Sequence, residues 1–83
     1  MTPMGLAANE AELRDRTATF LKVELKRAKL TYGDLAKKLE EHGLPGETEN
    51  SIKAKLARGT FAATFLVATL AALEMEALRL ADL

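Results

Sequence analysis

The chain has 83 residues, of which 48% are hydrophobic, 5% aromatic and 29% charged, with twelve Lys or Arg against twelve Asp or Glu and a net charge of zero. That length admits a single domain that buries a modest share of its surface, and the composition fits a Leu- and Ala-rich helical domain rather than a disordered segment. Cysteine is absent, which excludes disulfides and thiolate metal sites.

Met1 to Ala8 contains Pro3 and Gly5 and no periodicity, so residues 1–8 are expected to form a flexible tail. Asn9 followed by Glu12 is a capping-box pattern that opens a first helix, expected over about Glu10 to Lys29. Leu13, Thr17, Phe20, Leu21, Leu25 and Ala28 fall near one face of it, and Arg14, Arg16, Lys22, Lys26 and Arg27 mark the others. Leu30 is placed to staple the corner that follows.

The stretch TYGDLAKKLEEHGLPGETENSIKAKLARG, from Thr31 to Gly59, reads as two helices joined by a broken connection. Thr31 and Asp34 form a variant capping box for the first of these, and Leu35, Ala36 and Leu39 give its inner stripe. His42-Gly43-Leu44-Pro45-Gly46 stops it. The next helix begins at Thr48, with Ile52 and Leu56 as its buried seam and Glu49, Asn50, Lys53, Lys55 and Arg58 left for the other side. Gly59 ends it. Phe61, Phe65, Leu66, Thr69, Leu70 and Leu73 then give a fourth helix that is apolar around most of its circumference.

The final segment, residues 76–83, has two readings. Leu78-Arg79-Leu80 alternates like a short strand, and Leu73, Ala77 and Leu80 would equally continue a helical face. The extended reading is preferred. Lacking a mate in its own chain, such a strand would pair with the same segment of a second copy, or else the tail folds over the helices.

Charge is distributed unevenly despite the zero total. Residues 22–58 carry nine Lys or Arg against six Asp or Glu, a balance of +3, whereas residues 1–21 come to −1 and residues 59–83 to −2. A basic concentration over the helix pair is what phosphate neutralisation requires, and it is equally what a solvated mixed-charge surface shows. Phe61 to Leu73 is too short and too interrupted to span a bilayer, and the N-terminus lacks the pattern of a secretory signal; a cytoplasmic protein without membrane contact is the expectation. No phosphate-cradling glycine loop, nucleophile motif or ligand cluster appears, and Glu40-Glu41, Glu47 and Glu49 read as dispersed surface carboxylates. The chain is therefore expected to be neither an enzyme nor a cofactor or metal binder.

In order, the elements resemble the DNA-binding domain of the lambda repressor and Cro family, a four- to five-helix all-α helix-turn-helix fold, over about residues 20–75. Leu30-Thr31-Tyr32-Gly33-Asp34-Leu35-Ala36 is similar to that family's Leu-Ser-Gln-x-x-Leu-Ala entry into the second helix, and Leu56-Ala57-Arg58-Gly59 to its recognition-helix exit. Leu21 to Arg27 and Arg58-Gly59-Thr60-Phe61 are similar to segments of a short bacterial branch of that family, a domain of unknown function. The spacing from Leu35 to Asn50 is about seven residues longer than the family's, close to two helical turns. An insertion of that length can lengthen the second helix in register, with Gly43 to Gly46 as the turn, and leaves two outcomes: the recognition helix docks as in the family, or the enlarged turn lifts it away from a groove. The positions at which the family pairs a buried arginine with a glutamate match Leu25 and Ala57, apolar together, as loss of a buried ion pair requires.

Carried over residue by residue, the resemblance implies base contacts from Asn50, Ser51 and Lys55, and phosphate contacts from Thr31, Tyr32, Lys53, Arg58, Gly59 and Thr60. It implies double-stranded DNA as partner, a homodimer and a role in transcription regulation over residues 9–75. Plainer readings stand beside these: Asn50 and Ser51 as a helix cap, Lys53, Lys55 and Arg58 as a solvated face, Tyr32 as a ring packed on the first helix, and His42 as a helix-end residue. The alternative function is a protein-interaction or antitoxin-like module on the same scaffold.

Overall fold

A computed structural model of the chain describes residues 5–83. Four α-helices follow one another, α1 (Glu10–Arg27), α2 (Tyr32–Glu41), α3 (Glu49–Arg58) and α4 (Ala63–Ala72), and a single 3-10 turn at Leu80–Asp82 ends the chain. No strand occurs among the described residues. Of the expected N-terminal tail, residues 1–4 lie outside the described residues. Residues 5–8 are non-helical, and the Leu6 carbonyl accepts a hydrogen bond from the Arg16 guanidinium.

Each of the first three helices starts where a side chain satisfies its orphan N–H groups. Asn9 accepts from the Glu12 N–H at 2.8 Å. Thr31 and Asp34 form the full capping box, with both reciprocal bonds near 3 Å, and the Asp34 carboxyl is held below its ordinary value by the Thr31 backbone N–H and hydroxyl. Thr48 and Ser51 form a second box at the head of α3. By contrast, Ala62 gives α4 no side-chain cap.

The helix ends are as regular as the starts. Leu30, Leu44 and Met75 each donate a backbone N–H five residues back, to the carbonyls of Leu25, Leu39 and Leu70. This is the Schellman arrangement, with an apolar residue at both ends of the bond. It demands a left-handed residue at the turn, supplied by Gly43 after α2 but by Lys29 after α1 and Glu74 after α4. α1 accordingly stops at Arg27, two residues before the expected end.

Burial follows helical spacing. Leu21, Leu25, Leu35, Leu39, Ile52, Leu56 and Phe65 form the centre of one core. α3 packs against both α1 and α2, and α2 against α4. Ala18 joins the core, whereas Leu13 and Ala28 of the expected α1 face are exposed. For Leu13 the cause is length: at 1.5 Å per residue α1 spans about 27 Å against about 15 Å for each other helix, so its first turns run past the core; Ala28 is the C-cap and lies beyond the helix. Phe61 precedes α4 and is half-buried, its ring 5.1 Å from that of Phe65. Along α4 the outward side is apolar yet uncovered, with Val67 65% exposed.

Two expectations are corrected here. The tail forms no strand: Leu78 and Leu83 pack against the core while Leu80 is 64% exposed, so Leu78 and Leu80, which a strand would put on one face, part company. And the longer spacing between Leu35 and Asn50 goes largely into the connection, residues 42–48, with Leu44 packed against the core. α2 ends at Glu41, so no extra pair of turns is built there.

Candidate nucleic-acid interface

α3 is fixed from behind. Ile52 is fully buried and Leu56 2% exposed, and at four-residue spacing they pin the helix by one stripe, leaving the opposite stripe to solvent. That stripe consists of Asn50, Lys53, Ala54, Ala57 and Arg58, all exposed. From Asn50 to Arg58 the helix carries no acidic residue. Two alanines at its centre keep the ridge low, with an amide and two cations around them.

Ser51 and Lys55 do not join that ridge. Ser51 accepts from the Thr48 N–H at 2.8 Å and donates its hydroxyl to Glu47 Oε1 at 2.7 Å. Lys55 Nζ reaches the same Glu47 oxygen at 3.0 Å and lies 5.7 Å from the centre of the Phe65 ring, within cation–π range. Side-chain exposure is 14% for Glu47 and 24% for Lys55. Burial pushes the Glu47 carboxyl up, but the Ser51 and Lys55 hydrogen bonds and the lysine charge outweigh it and hold the group below its ordinary value. The expectation that Lys55 lies on the outer side of α3 is thus corrected: its ammonium group lies over the Phe65 ring and its charge is spent on Glu47.

Glu47 was not legible as a hub, since it reads as one of several surface acids. The signal was its spacing. Ser51 and Lys55 stand four apart along one edge of α3, and Glu47, just before the Thr48 cap, stands four residues ahead of Ser51.

The remaining expected contacts divide. Thr31 and Thr60 are exposed, and Tyr32 is half-buried with its ring packed against the core. Gly59 is left-handed at φ 72°, and its N–H is already given to the Lys55 carbonyl at 2.9 Å. A Cβ on Gly59 would lie 2.9 Å from both the Cβ and the carbonyl oxygen of Arg14, so the end of α3 rests directly on the α1 backbone. Leu25 is buried but Ala57 is exposed; the two positions share no core, and their joint apolar character has no bearing on a lost ion pair. Among the described residues, no three His, Asp or Glu side chains are grouped to hold a metal ion, and no helix is long and apolar enough to cross a membrane.

These features define a small four-helix domain whose second and third helices form a braced pair with one outward, acid-free ridge. The chain belongs to the family described as Domain of unknown function (DUF6471), whose model matches residues 13–78. Among curated proteins and among solved structures, none matches the chain.

Proposed function

We propose that this chain binds double-stranded DNA, with α2 and α3 acting as a helix-turn-helix of the lambda repressor and Cro type and α3 entering the major groove, and that it serves as a homodimeric transcriptional regulator. The observation that carries the reading is the α3 ridge of Asn50, Lys53, Ala54, Ala57 and Arg58, acid-free and braced by Ile52 and Leu56. Asn50 has the donor and acceptor that adenine needs, and alanine side chains suit thymine methyl groups. Lys53 and Arg58 supply phosphate contacts, with Thr31 at the α2 entry.

Lys55 is assigned to holding α3 rather than to reading a base, because Glu47 occupies its ammonium group. Dimerisation is part of the proposal on energetic grounds. One neutral chain with so few contacts binds weakly, and a second half-site adds its contacts at high effective concentration.

The test is binding to random duplexes at low salt with the mass of the complex recorded. Asn50→Ala is expected to relax base preference by about 1–3 kcal/mol at one position, and Arg58→Ala to weaken all sequences alike while flattening the salt slope by about one. A second reading, a protein-interaction or antitoxin-like module, is favoured by the uncovered apolar side of α4 around Val67. No duplex binding at low salt, together with stable recovery of a protein partner, would select it.

A further inference from the structure

Where the end of α3 rests on α1, a depression of about 190 Å³ opens, lined by Arg14, Asp15 and Lys22 of α1 and by Ala57, Arg58 and Gly59. Three cations against one carboxylate face it, in a chain whose total charge is zero. Lys22 and Arg58 have no ion-pair partner among the described residues, and Arg14 has only the loose Glu10 contact at 3.8 Å. The cations are therefore not spent on internal neighbours as Lys55 is.

Two structural causes bring them together. Arg14 and Lys22 stand eight residues apart on α1 with Ala18 between, so they share one edge of the helix. Gly59, lacking a side chain, lets the last turn of α3 sit against the Arg14 backbone and sets Arg58 at the rim. Ala57 and Arg58 belong both to this depression and to the outward ridge, so whatever lies on the ridge also passes the mouth of the cleft.

We propose that this α1–α3 cleft is a phosphate oxyanion site and that, in the complex, it holds a backbone phosphate flanking the groove occupied by α3, which makes α1 a third contacting helix. The choice of a duplex phosphate rests on the DNA-binding reading; the oxyanion chemistry does not. The site is made by side chains, because the Gly59 N–H is already bonded to Lys55. Asp15 opposes the anion and sets the affinity low.

The experiment uses the full chain with Lys22→Gln and Asp15→Asn, both at exposed positions, and Lys26→Gln as a control outside the cleft. Binding to random duplex DNA is measured from about 50 to about 200 mM salt. One phosphate contact accounts for about a 3.5-fold fall in affinity over that range. Lys22→Gln should remove one such factor, Asp15→Asn should raise affinity, and Lys26→Gln should leave the slope unchanged. In parallel, inorganic phosphate is titrated while the backbone amides of Ala18, Arg58 and Gly59 are followed by NMR.

If duplex binding is intact and Lys22→Gln behaves like wild type or like Lys26→Gln, the cleft assignment is overturned and the α3 reading stands. If no duplex binds but inorganic phosphate produces saturable shifts that Lys22→Gln abolishes, the oxyanion site stands with a free phosphate as its ligand, and the DNA reading fails. Absence of both signals removes both.

Discussion

Gly59 carries two constraints at once, a left-handed backbone that disfavours a larger residue and a close approach that forbids one. Its φ of 72° is left-handed, and the Arg14 backbone lies 2.9 Å from where a Cβ would stand. The obstruction is main chain, which cannot swing aside as a side-chain tip would. Gly59→Ala is expected to destabilise the fold by about 2–4 kcal/mol, combining left-handed strain with overpacking, read as a lowered urea midpoint. The opposite sign is expected at Thr69. Its residue is fully buried and its hydroxyl has no hydrogen-bond partner, so the desolvated oxygen is a standing cost. Thr69→Val keeps the shape and removes the polar atom, and should stabilise by about 1 kcal/mol or more; a lower melting temperature would show that the hydroxyl is satisfied in solution.

At the scale of elements, α3 is held by apolar burial behind and by a charge cluster along one edge. The cluster makes the hold pH-dependent. Glu47 lies below its ordinary value of 4.5 when folded, so its contribution is fully present above the unfolded value and is lost as pH falls through the folded one. Asp34 at the head of α2 behaves likewise below its ordinary 3.8. Urea midpoints of the wild type should therefore decline on acidification below about pH 4.5, and Glu47→Gln, which keeps an acceptor but no titrating charge, should start lower at neutral pH and decline less steeply. An unchanged acid limb would mean that the Glu47–Lys55 contact does not persist in solution. The helices themselves were legible because capping residues and apolar spacing are local signals: Thr31 with Asp34, Thr48 before Glu49 and Gly59 after Arg58 each mark an observed boundary. Lys55 was not, since a lysine at that spacing points outward unless a carboxylate from another turn claims it. Nor was the end of α1, where Lys29 takes a left-handed turn that the sequence advertises only when glycine fills it.

For the molecule as a whole, what escaped the sequence is where separate elements meet. The α1–α3 cleft depends on a contact between Gly59 and Arg14, 45 positions apart, and the tail depends on Leu78 and Leu83 finding the core that the helices build. The ridge of α3 was half visible, with Asn50, Lys53 and Arg58 exposed as expected and Ser51 and Lys55 withdrawn. This division sets the whole-molecule prediction. With zero net charge there is no long-range basic field to hold the chain on DNA without specific contacts, so affinity must come from the few exposed cations near α3 and from the number of chains bound. Each neutralised phosphate contributes about 0.9 to the slope of log affinity against log salt. Lys53, Arg58 and, through the α1–α3 cleft, Lys22 therefore give about 3 per chain, and a dimer about 5. Sedimentation of the complex gives the stoichiometry independently of the slope. Two chains per site with the doubled slope is the expected result; one chain per site would remove the homodimer, and a slope near zero would remove the duplex as ligand.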